Sequence, residues 1–225
     1  MVVVAPSGAH MYTVILAHGF SSTGVELHAK VHEFFPTWFA RQARFVYLTA
    51  PLRRITCYGE RWYRAWHDYL THHGDDGEAV EESIAFDDLL ETREALHAAI
   101  RREWSVARPL VLFGESQGGC CAIDAALTST LPVHAIATYA MRYSSTPERA
   151  VRAGPHAHVF HSRTDAVIPY ALARASLAHT DVRWWVADNL THATVNGSFK
   201  TFLHQALERI TTSQNKKKMY DGHAA

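Results

Sequence analysis

The chain has 225 residues, 48% of them hydrophobic, which is enough to bury the core of one globular domain. Its 22 basic and 22 acidic residues balance to a formal net charge of zero, so nothing overall attracts nucleic acid or an anionic membrane. Three cysteines, Cys57, Cys120 and Cys121, are too few for a disulfide framework and predict a reducing, cytoplasmic compartment. No apolar run reaches the roughly 18 residues that span a bilayer, and the sequence does not start with the basic region of a signal peptide.

Short apolar runs, rich in β-branched and aromatic residues, predict strands that are buried on both faces. In chain order these runs are Tyr12–Ala17, Phe45–Leu48, Leu110–Phe113, Ala135–Tyr139, His158–His161 and Arg183–Val186. Since parallel neighbours need long crossover connections, strands of this kind separated by helices predict a mostly parallel sheet.

Helical patterns fill the spaces between the strands. They cover Glu26–Arg41, Ser83–Trp104, Gln117–Thr130, Tyr170–His179 and Gly197–Ile210. We therefore expect one α/β domain over residues 1–210, with helices on both faces of the sheet. Residues 211–225, which include Lys216–Lys218, are predicted to form a polar, flexible C-terminal tail.

A glycine-flanked serine follows the strand predicted at Leu110–Phe113, in the stretch FGESQGG. Gly114 and Gly118 lie two residues to either side of Ser116, and small residues continue into the next predicted helix. A nucleophile presented on a sharp strand–turn–helix junction needs small neighbours at these positions, because the strained backbone leaves no room for larger ones. A simple glycine-rich turn is the alternative, but the context favours a nucleophile.

A serine hydroxyl is a weak nucleophile and needs a base that is itself oriented by a carboxylate. In α/β-hydrolases these partners follow the serine in the order acid, then histidine. Asp165 and His192 occur in that order, each in the loop after a predicted strand, where reactive groups gather in such sheets. Asp188 is a weaker alternative to Asp165, because it precedes His192 too closely to reach it from a separate loop.

Acyl transfer also needs N–H donors aimed at the charge that develops on the carbonyl oxygen. The backbone N–H of Gln117, directly after the serine, is one candidate. The second is the N–H of Phe20 in the stretch LAHGFSSTG, where His18 and Gly19 shape the turn after a predicted strand. An ordinary turn after a strand is the alternative. The occurrence of this stretch together with the serine, the acid and the histidine favours an oxyanion hole.

The segment RWYRAWHDYLTHHGDDG is dense in aromatic residues, with Trp62, Tyr63, Trp66 and Tyr69 close together. A helical aromatic stripe is usually part of the core, but a wall of the substrate pocket is an equally good interpretation here. The polar run His72–Asp76 is contiguous and lacks the spacing typical of metal ligands, so we interpret it as a solvated loop. We expect no metal and no cofactor.

Five segments, AHGFSSTG, RAWHDY, FGESQGG, HSRTDAVIP and LTHATV, resemble in order the signature segments of the acyl-protein thioesterases and the related phospholipase/carboxylesterase esterases. The resemblance runs from about Tyr12 to Leu207 and is most specific in the GxSQGG segment. It implies a compact, single-domain α/β-hydrolase without a large lid domain. It also implies five site residues: a triad of Ser116, Asp165 and His192, and oxyanion donors Phe20 and Gln117.

The activity implied by the resemblance is hydrolysis of thioesters or esters of fatty acyl groups, with a lipidated protein or a lysophospholipid as possible substrates. The chain departs from the family pattern at Glu115, where a bulky apolar residue is usual, and at Ser22, where an acid is usual. We expect substrate contacts from Trp66, Met141 and Arg142. The cationic Arg142 favours an anionic or polar substrate.

Two alternatives stay open at this point. The same acyl-enzyme, if it passes its acyl group to an alcohol, amine or thiol, would make the protein an acyltransferase. A catalytically silent hydrolase fold that only binds a ligand is the other, although the complete set of site residues argues against it. We expect no nucleic-acid partner.

Overall fold

The computed structural model describes residues 1–71, 83–143, 146 and 157–221, with side chains described as far as residue 212. The loop predicted at His72–Asp76 and the side chains of Lys216–Lys218 lie outside the described residues. The division at residue 210 into a domain and a tail stays a prediction.

A seven-stranded sheet forms the centre of the molecule, and a separate two-stranded hairpin lies beside it. In chain order the strands are β1 (Val2–Val4), β2 (Tyr12–Ala17), β3 (Ala43–Tyr47), β4 (Leu52–Ile55), β5 (Arg61–Arg64), β6 (Leu110–Glu115), β7 (His134–Thr138), β8 (Ala157–Ser162) and β9 (Val182–Ala187). The large sheet has the order β1-β3-β2-β6-β7-β8-β9, and β4 pairs with β5. All neighbours in the large sheet are parallel except β1 and β3, so the predicted mostly parallel sheet is confirmed.

Helices connect the strands. They are α1 (Gly24–Val31), α2 (Thr37–Ala40), α3 (Phe86–Glu103), α4 (Gln117–Thr128), α5 (Tyr170–Ser176) and α6 (Gly197–Asp221), with short 3-10 helices at His32–Phe34 and Thr56–Tyr58. The single helix predicted over Glu26–Arg41 is wrong, because Pro36 lacks an amide hydrogen and forces Phe35 into an extended conformation. The last helix continues beyond its predicted end at Ile210 to Asp221.

Two hydrophobic cores cover the two faces of the sheet. Along β2, Ile15 belongs to the core that contains the buried side chains of α3, α4 and α5. Val14 and Leu16 belong to the other core, which contains those of α1, α2 and α6. Because both faces of the central strands are buried, the strands appear in the sequence as continuous apolar runs. Helices on both faces of the sheet are thereby confirmed.

Over its described residues, 61–71, the aromatic segment does not form the helix that its spacing suggested. Arg61–Arg64 pairs antiparallel with Leu52–Ile55 instead. The turn between the two strands passes through Gly59 at φ +68°, a left-handed conformation that glycine adopts without steric strain. Trp62 on this hairpin is 60% exposed, whereas Trp66 just after it is 4% exposed. The pairing of β5 with β4 therefore decides the structure here, although the spacing of the aromatic residues matches a helix.

Candidate active site

Five loops leave the carboxyl ends of parallel strands at one edge of the sheet. The loop after β2 carries Phe20, and those after β6, β7, β8 and β9 carry Ser116, Tyr139, Asp165 and His192. The carboxyl ends of parallel strands meet at the same edge, which is where open α/β sheets bind ligands. The topology thus brings together residues that are far apart in the chain.

Ser116 lies on a strained turn between β6 and α4. Its backbone has φ 52° and ψ −122°, a region that residues with side chains rarely adopt. A Cβ atom on Gly114 would overlap the carbonyl group of Gly118, and one on Gly118 would overlap the carbonyl oxygens of Ala17 and His18. The two glycines therefore let α4 begin directly against the end of β2.

A continuous series of hydrogen bonds joins the three residues predicted to act together. His192 Nε2 lies 2.7 Å from Ser116 Oγ. On the other side of the ring, Nδ1 lies 2.8 Å from Oδ2 and 3.0 Å from Oδ1 of Asp165. Because a carboxylate only accepts, Nδ1 is the donor, and this leaves Nε2 to accept from the serine hydroxyl.

The Asp165 carboxylate is buried, and both of its oxygens accept hydrogen bonds. It is 5% exposed, and its Oδ1 accepts hydrogen bonds from the backbone N–H groups of Val167 (2.8 Å) and Ile168 (3.1 Å). Burial alone would raise the pKa of this carboxyl group, but the hydrogen bond and charge of His192, with the two N–H groups, hold the pKa below its usual value. The carboxylate is therefore charged at neutral pH.

The loops that carry the acid and the histidine are tied to each other. The Leu190 carbonyl oxygen accepts from Thr164 Oγ1 at 3.1 Å, and the Leu190 N–H donates to Ser162 Oγ at 3.2 Å. Asp188, the alternative acid, points away and forms an exposed ion pair with Arg163 at 3.2 Å. The structure therefore places Asp165, and not Asp188, against the histidine.

Tyr139 supports the histidine loop, and the sequence contained no signal for this contact. Its hydroxyl donates to the Thr194 carbonyl oxygen at 2.7 Å, and its ring lies 5.4 Å from that of His192. Its backbone has a positive φ of 52°. Burial, together with the nearby charges of Asp165 and Glu115, raises the pKa of the Tyr139 phenol, so the phenol stays protonated and donates.

The loop after β2 lies directly against the serine. A Cβ atom built on Gly19 would lie 3.5 Å from Ser116 Cβ. Within the described part of the chain, no protein acceptor is bonded to the N–H groups of Phe20 and Gln117. Both N–H groups are thus available to an oxygen atom of a bound substrate.

His18 holds this loop from inside the core. Its Nδ1–H donates to the Gly19 carbonyl oxygen at 2.7 Å, and its Nε2 accepts from the Ala50 N–H at 3.0 Å. The residue is fully buried, and burial lowers the pKa of the imidazole. A neutral ring with one donor and one acceptor is the form that these two bonds require.

A second set of buried hydrogen bonds joins the loop to α4. The Trp66 indole N–H donates to the His18 carbonyl oxygen at 2.7 Å, and the Trp66 backbone N–H donates to Gln117 Oε1 at 2.9 Å. Gln117 Nε2 donates to the His67 carbonyl oxygen at 3.0 Å. Trp66 is therefore a support of the loop, a role that the sequence analysis missed.

The other residues expected to contact the substrate also have protein partners. Met141 is 3% exposed, and its N–H donates to Cys120 Sγ at 3.4 Å. The Arg142 N–H donates to Ser176 Oγ at 3.0 Å, and its guanidinium group donates to the Thr146 carbonyl oxygen. Contact of Trp66, Met141 and Arg142 with a substrate stays a prediction.

Glu115, the unusual residue before the serine, is 7% exposed and forms an ion pair with Lys30 at 2.7 Å. This partner compensates the charge of a carboxylate that would otherwise be costly to bury. The buried carboxylate before the serine is thus paired with a cation on α1.

The three cysteines are free thiols. Burial raises the pKa of Cys120 to about 11, and burial likewise raises the pKa values of Cys57 and Cys121. Since the thiolate is the reactive form, all three are weak nucleophiles at neutral pH. Among the described residues, no three His, Cys, Asp or Glu side chains are grouped to hold a metal ion. No helix in the described ranges combines the length and apolarity needed to cross a bilayer.

Comparisons with known proteins agree with this architecture. Arabidopsis thaliana SOBER1 has a TM-score of 0.75 at 18% identity, over 89% of this chain and 99% of that chain. Zea mays acyl-protein thioesterase 2 has a TM-score of 0.75 at 19% identity, over 92% and 97%. The Bacillus cereus carboxylesterase has a TM-score of 0.67 at 13% identity, over 92% of both chains. No curated protein sequence matched the chain.

The fold, a mostly parallel sheet with helices on both faces, is that of an α/β-hydrolase. The model of the phospholipase/carboxylesterase family matches residues 1–217. The chain belongs to this family and is a serine ester or thioester hydrolase.

Proposed function

We propose that the chain hydrolyses carboxylic thioesters or esters through a covalent acyl-enzyme on Ser116. The observation that carries this proposal is the unbroken hydrogen-bond series from the Ser116 hydroxyl through His192 to the buried Asp165 carboxylate. A strained turn presents the serine beside two N–H groups that have no acceptor among the described residues, and this supports the same conclusion.

Each residue has one task in the proposed mechanism. Ser116 Oγ attacks the acyl carbonyl carbon while His192 Nε2 takes the hydroxyl proton. Asp165 orients the ring and stabilises the imidazolium that forms. The N–H groups of Phe20 and Gln117 bind the negatively charged oxygen of the tetrahedral intermediate. His192 then returns the proton to the leaving thiol or alcohol. Water next attacks the acyl-enzyme while His192 Nε2 takes a proton from it, and the free acid leaves as that proton returns to Ser116 Oγ.

We propose an acyl chain as the group that the enzyme recognises. Phe20 packs against Tyr58 and Tyr63 with ring centroids 5.5 Å and 5.3 Å apart, which gives an apolar surface next to the proposed oxyanion donor. The likeness to a maize acyl-protein thioesterase and the family description support S-acylated proteins and lysophospholipids as candidate substrates.

Labelling with a fluorophosphonate probe tests the nucleophile. The wild-type protein is expected to take up one probe per chain, on the peptide that contains Ser116. Ser116→Ala should lose both labelling and turnover while its thermal unfolding is unchanged. Ser198→Ala, at an exposed serine of α6, serves as the matched control and should label fully. Full labelling of the Ser116→Ala variant would exclude the proposed role.

The substrate is tested with p-nitrophenyl esters of increasing chain length beside a matched panel of acyl thioesters. We expect turnover with both classes and a preference for medium or long chains. Adding alcohol, amine or thiol acceptors tests the acyltransferase alternative. Free acid as the main product supports hydrolysis, and acyl transfer that dominates over free acid would contradict it.

A further inference from the structure

A second imidazole, His161, lies behind the proposed triad. It is near the end of β8 and is fully buried. Its Nδ1 lies 3.0 Å from the backbone nitrogen of Ser162, whose N–H can only donate. Nδ1 also lies 3.1 Å from the Ser162 carbonyl oxygen, so the contacts at this nitrogen alone fit either tautomer. The tautomer with the proton on Nε2 directs a donor, and not a lone pair, toward the Asp165 carboxylate, and Nδ1 then accepts from the Ser162 N–H.

The Nε2 end of His161 faces the proposed catalytic carboxylate. It lies 3.8 Å from Asp165 Oδ2, the same oxygen that is 2.8 Å from His192 Nδ1. Within the described residues this buried nitrogen has no hydrogen-bond partner. Buried polar atoms are nearly always paired, so an unpaired N–H aimed at a carboxylate needs an explanation.

Aromatic side chains hold the ring in this orientation. The centroid of His161 is 5.8 Å from that of Tyr139, 5.9 Å from Tyr170 and 6.5 Å from Trp184. The titratable groups around it are the phenols of Tyr139 and Tyr170, the Asp165 carboxylate and the His192 imidazole. Burial lowers the pKa of His161, so the ring is neutral and acts on the carboxylate as an N–H dipole.

We propose that His161 is a positioning residue that acts through Asp165, with its Nε2–H holding the carboxylate in the orientation that faces His192. The inference rests on the proposed function, because His161 has this role only if Asp165 orients the catalytic base. An attractive dipole in a water-poor environment restrains rotation of the carboxylate more strongly than the same dipole in water.

The role has a consequence for the pH dependence of the reaction. The positive end of the His161 N–H dipole partly offsets the negative potential that Asp165 produces at His192. Without it the imidazolium form of the base is stabilised more, and the acid limb of the kcat/KM profile moves to higher pH. A residue that only fills space has no such effect on the profile.

Four variants test the proposal. His161→Gln keeps an amide donor close to the Nε2 position, whereas the shorter His161→Asn and the apolar His161→Phe do not. His158→Phe is the matched control, since His158 is a buried histidine on the same strand whose ring packs against Trp185. Initial rates with a p-nitrophenyl ester across the pH range, thermal unfolding and fluorophosphonate labelling are measured for each.

We expect His161→Asn and His161→Phe to lower kcat about tenfold with KM little changed. Their acid limbs should move up by about half a pH unit. His161→Gln should recover most of both effects, and His158→Phe should match the wild type. If His161→Phe does not fold, the comparison of Gln with Asn decides.

Equal kcat values and unshifted acid limbs in the Gln and Asn variants would overturn the proposal and leave His161 as a packing residue. This outcome is distinct from failure of the proposed function, which would appear as a wild-type protein whose Ser116 takes up no probe.

Discussion

The two halves of the site are held in place by different means. The triad half consists of the proposed catalytic residues Ser116, Asp165 and His192. The oxyanion half consists of the loop that carries the proposed donor Phe20, with His18, Trp66 and Gln117. Asp165 is fixed by N–H groups two and three residues away, and Ser116 by its flanking glycines. In contrast, the loop in the oxyanion half is fixed by the side chain of Trp66 and the backbone of Ala50, which are distant in the chain.

This difference predicts two kinds of defect. A substitution of Ser116 or Asp165 should mainly remove chemistry and change stability little, because the backbone at these two positions is held by groups nearby in the chain. A substitution in the oxyanion half should produce a smaller loss of kcat that comes with reduced stability, because the same buried hydrogen bonds serve both purposes.

The largest effect is expected for Asp165→Asn. The amide leaves the geometry of the loop intact but cannot hold the imidazole in the required tautomer, so kcat should fall by about 10⁴. Steady-state kinetics with a p-nitrophenyl ester measures the loss. Asp188→Asn, at the exposed acid paired with Arg163, is the control and should retain activity. A loss of less than tenfold in Asp165→Asn would mean that another acid orients the base.

The next effect is expected for Trp66→Phe. Phenylalanine fills much of the same space but lacks the indole N–H that holds the His18 carbonyl oxygen, so the loop that carries Phe20 is less well fixed. We expect kcat to fall about tenfold and the thermal midpoint to drop as well. Trp62→Phe, at the exposed tryptophan of the hairpin, should change neither. Wild-type kcat in Trp66→Phe would show that the oxyanion half does not depend on this bond.

A smaller effect is expected for Tyr139→Phe. This change removes the hydroxyl that donates to the Thr194 carbonyl oxygen and leaves the ring against His192. The free energy of unfolding should fall by about 1 kcal/mol, and kcat should fall a few-fold. Denaturant titration and steady-state kinetics check the two values. An unchanged stability would mean that water replaces the lost bond at no cost.

The smallest effect is a pH dependence of stability. Because the folded-state pKa of Asp165 is lowered, its contribution to stability is present above the unfolded-state value of about 4 and is lost as the pH falls through the folded-state pKa. The difference in unfolding free energy between wild type and Asp165→Asn should therefore shrink as the pH is lowered below about 4. Denaturant titrations at a series of pH values measure it. A difference that stays constant with pH would contradict the lowered pKa.

The same contrast explains what the sequence could predict. The strands, the serine turn and the order of acid and histidine follow from local patterns, and a parallel sheet then brings them to one edge. The break of the first helix at Pro36 was also visible in principle, because the residue before a proline avoids the helical conformation.

The long-range contacts that support both halves had no such local signal. The spacing of Trp62, Trp66 and Tyr69 matches a helix, but pairing with β4 makes the first part a strand. The bond from Trp66 to His18 joins residues 48 positions apart, and Tyr139 reaches Thr194 across 55 positions. Side-chain contacts over such separations depend on the packed fold, and no pattern within one segment indicates them.

The most direct test of the account is rapid mixing with a p-nitrophenyl ester, followed by acid quench and mass measurement of the intact chain and its peptides. We expect a burst of one p-nitrophenol per chain and one acyl group on the peptide that contains Ser116. Product release without a burst or an acyl adduct, or an acyl group found on Cys57 instead, would contradict it.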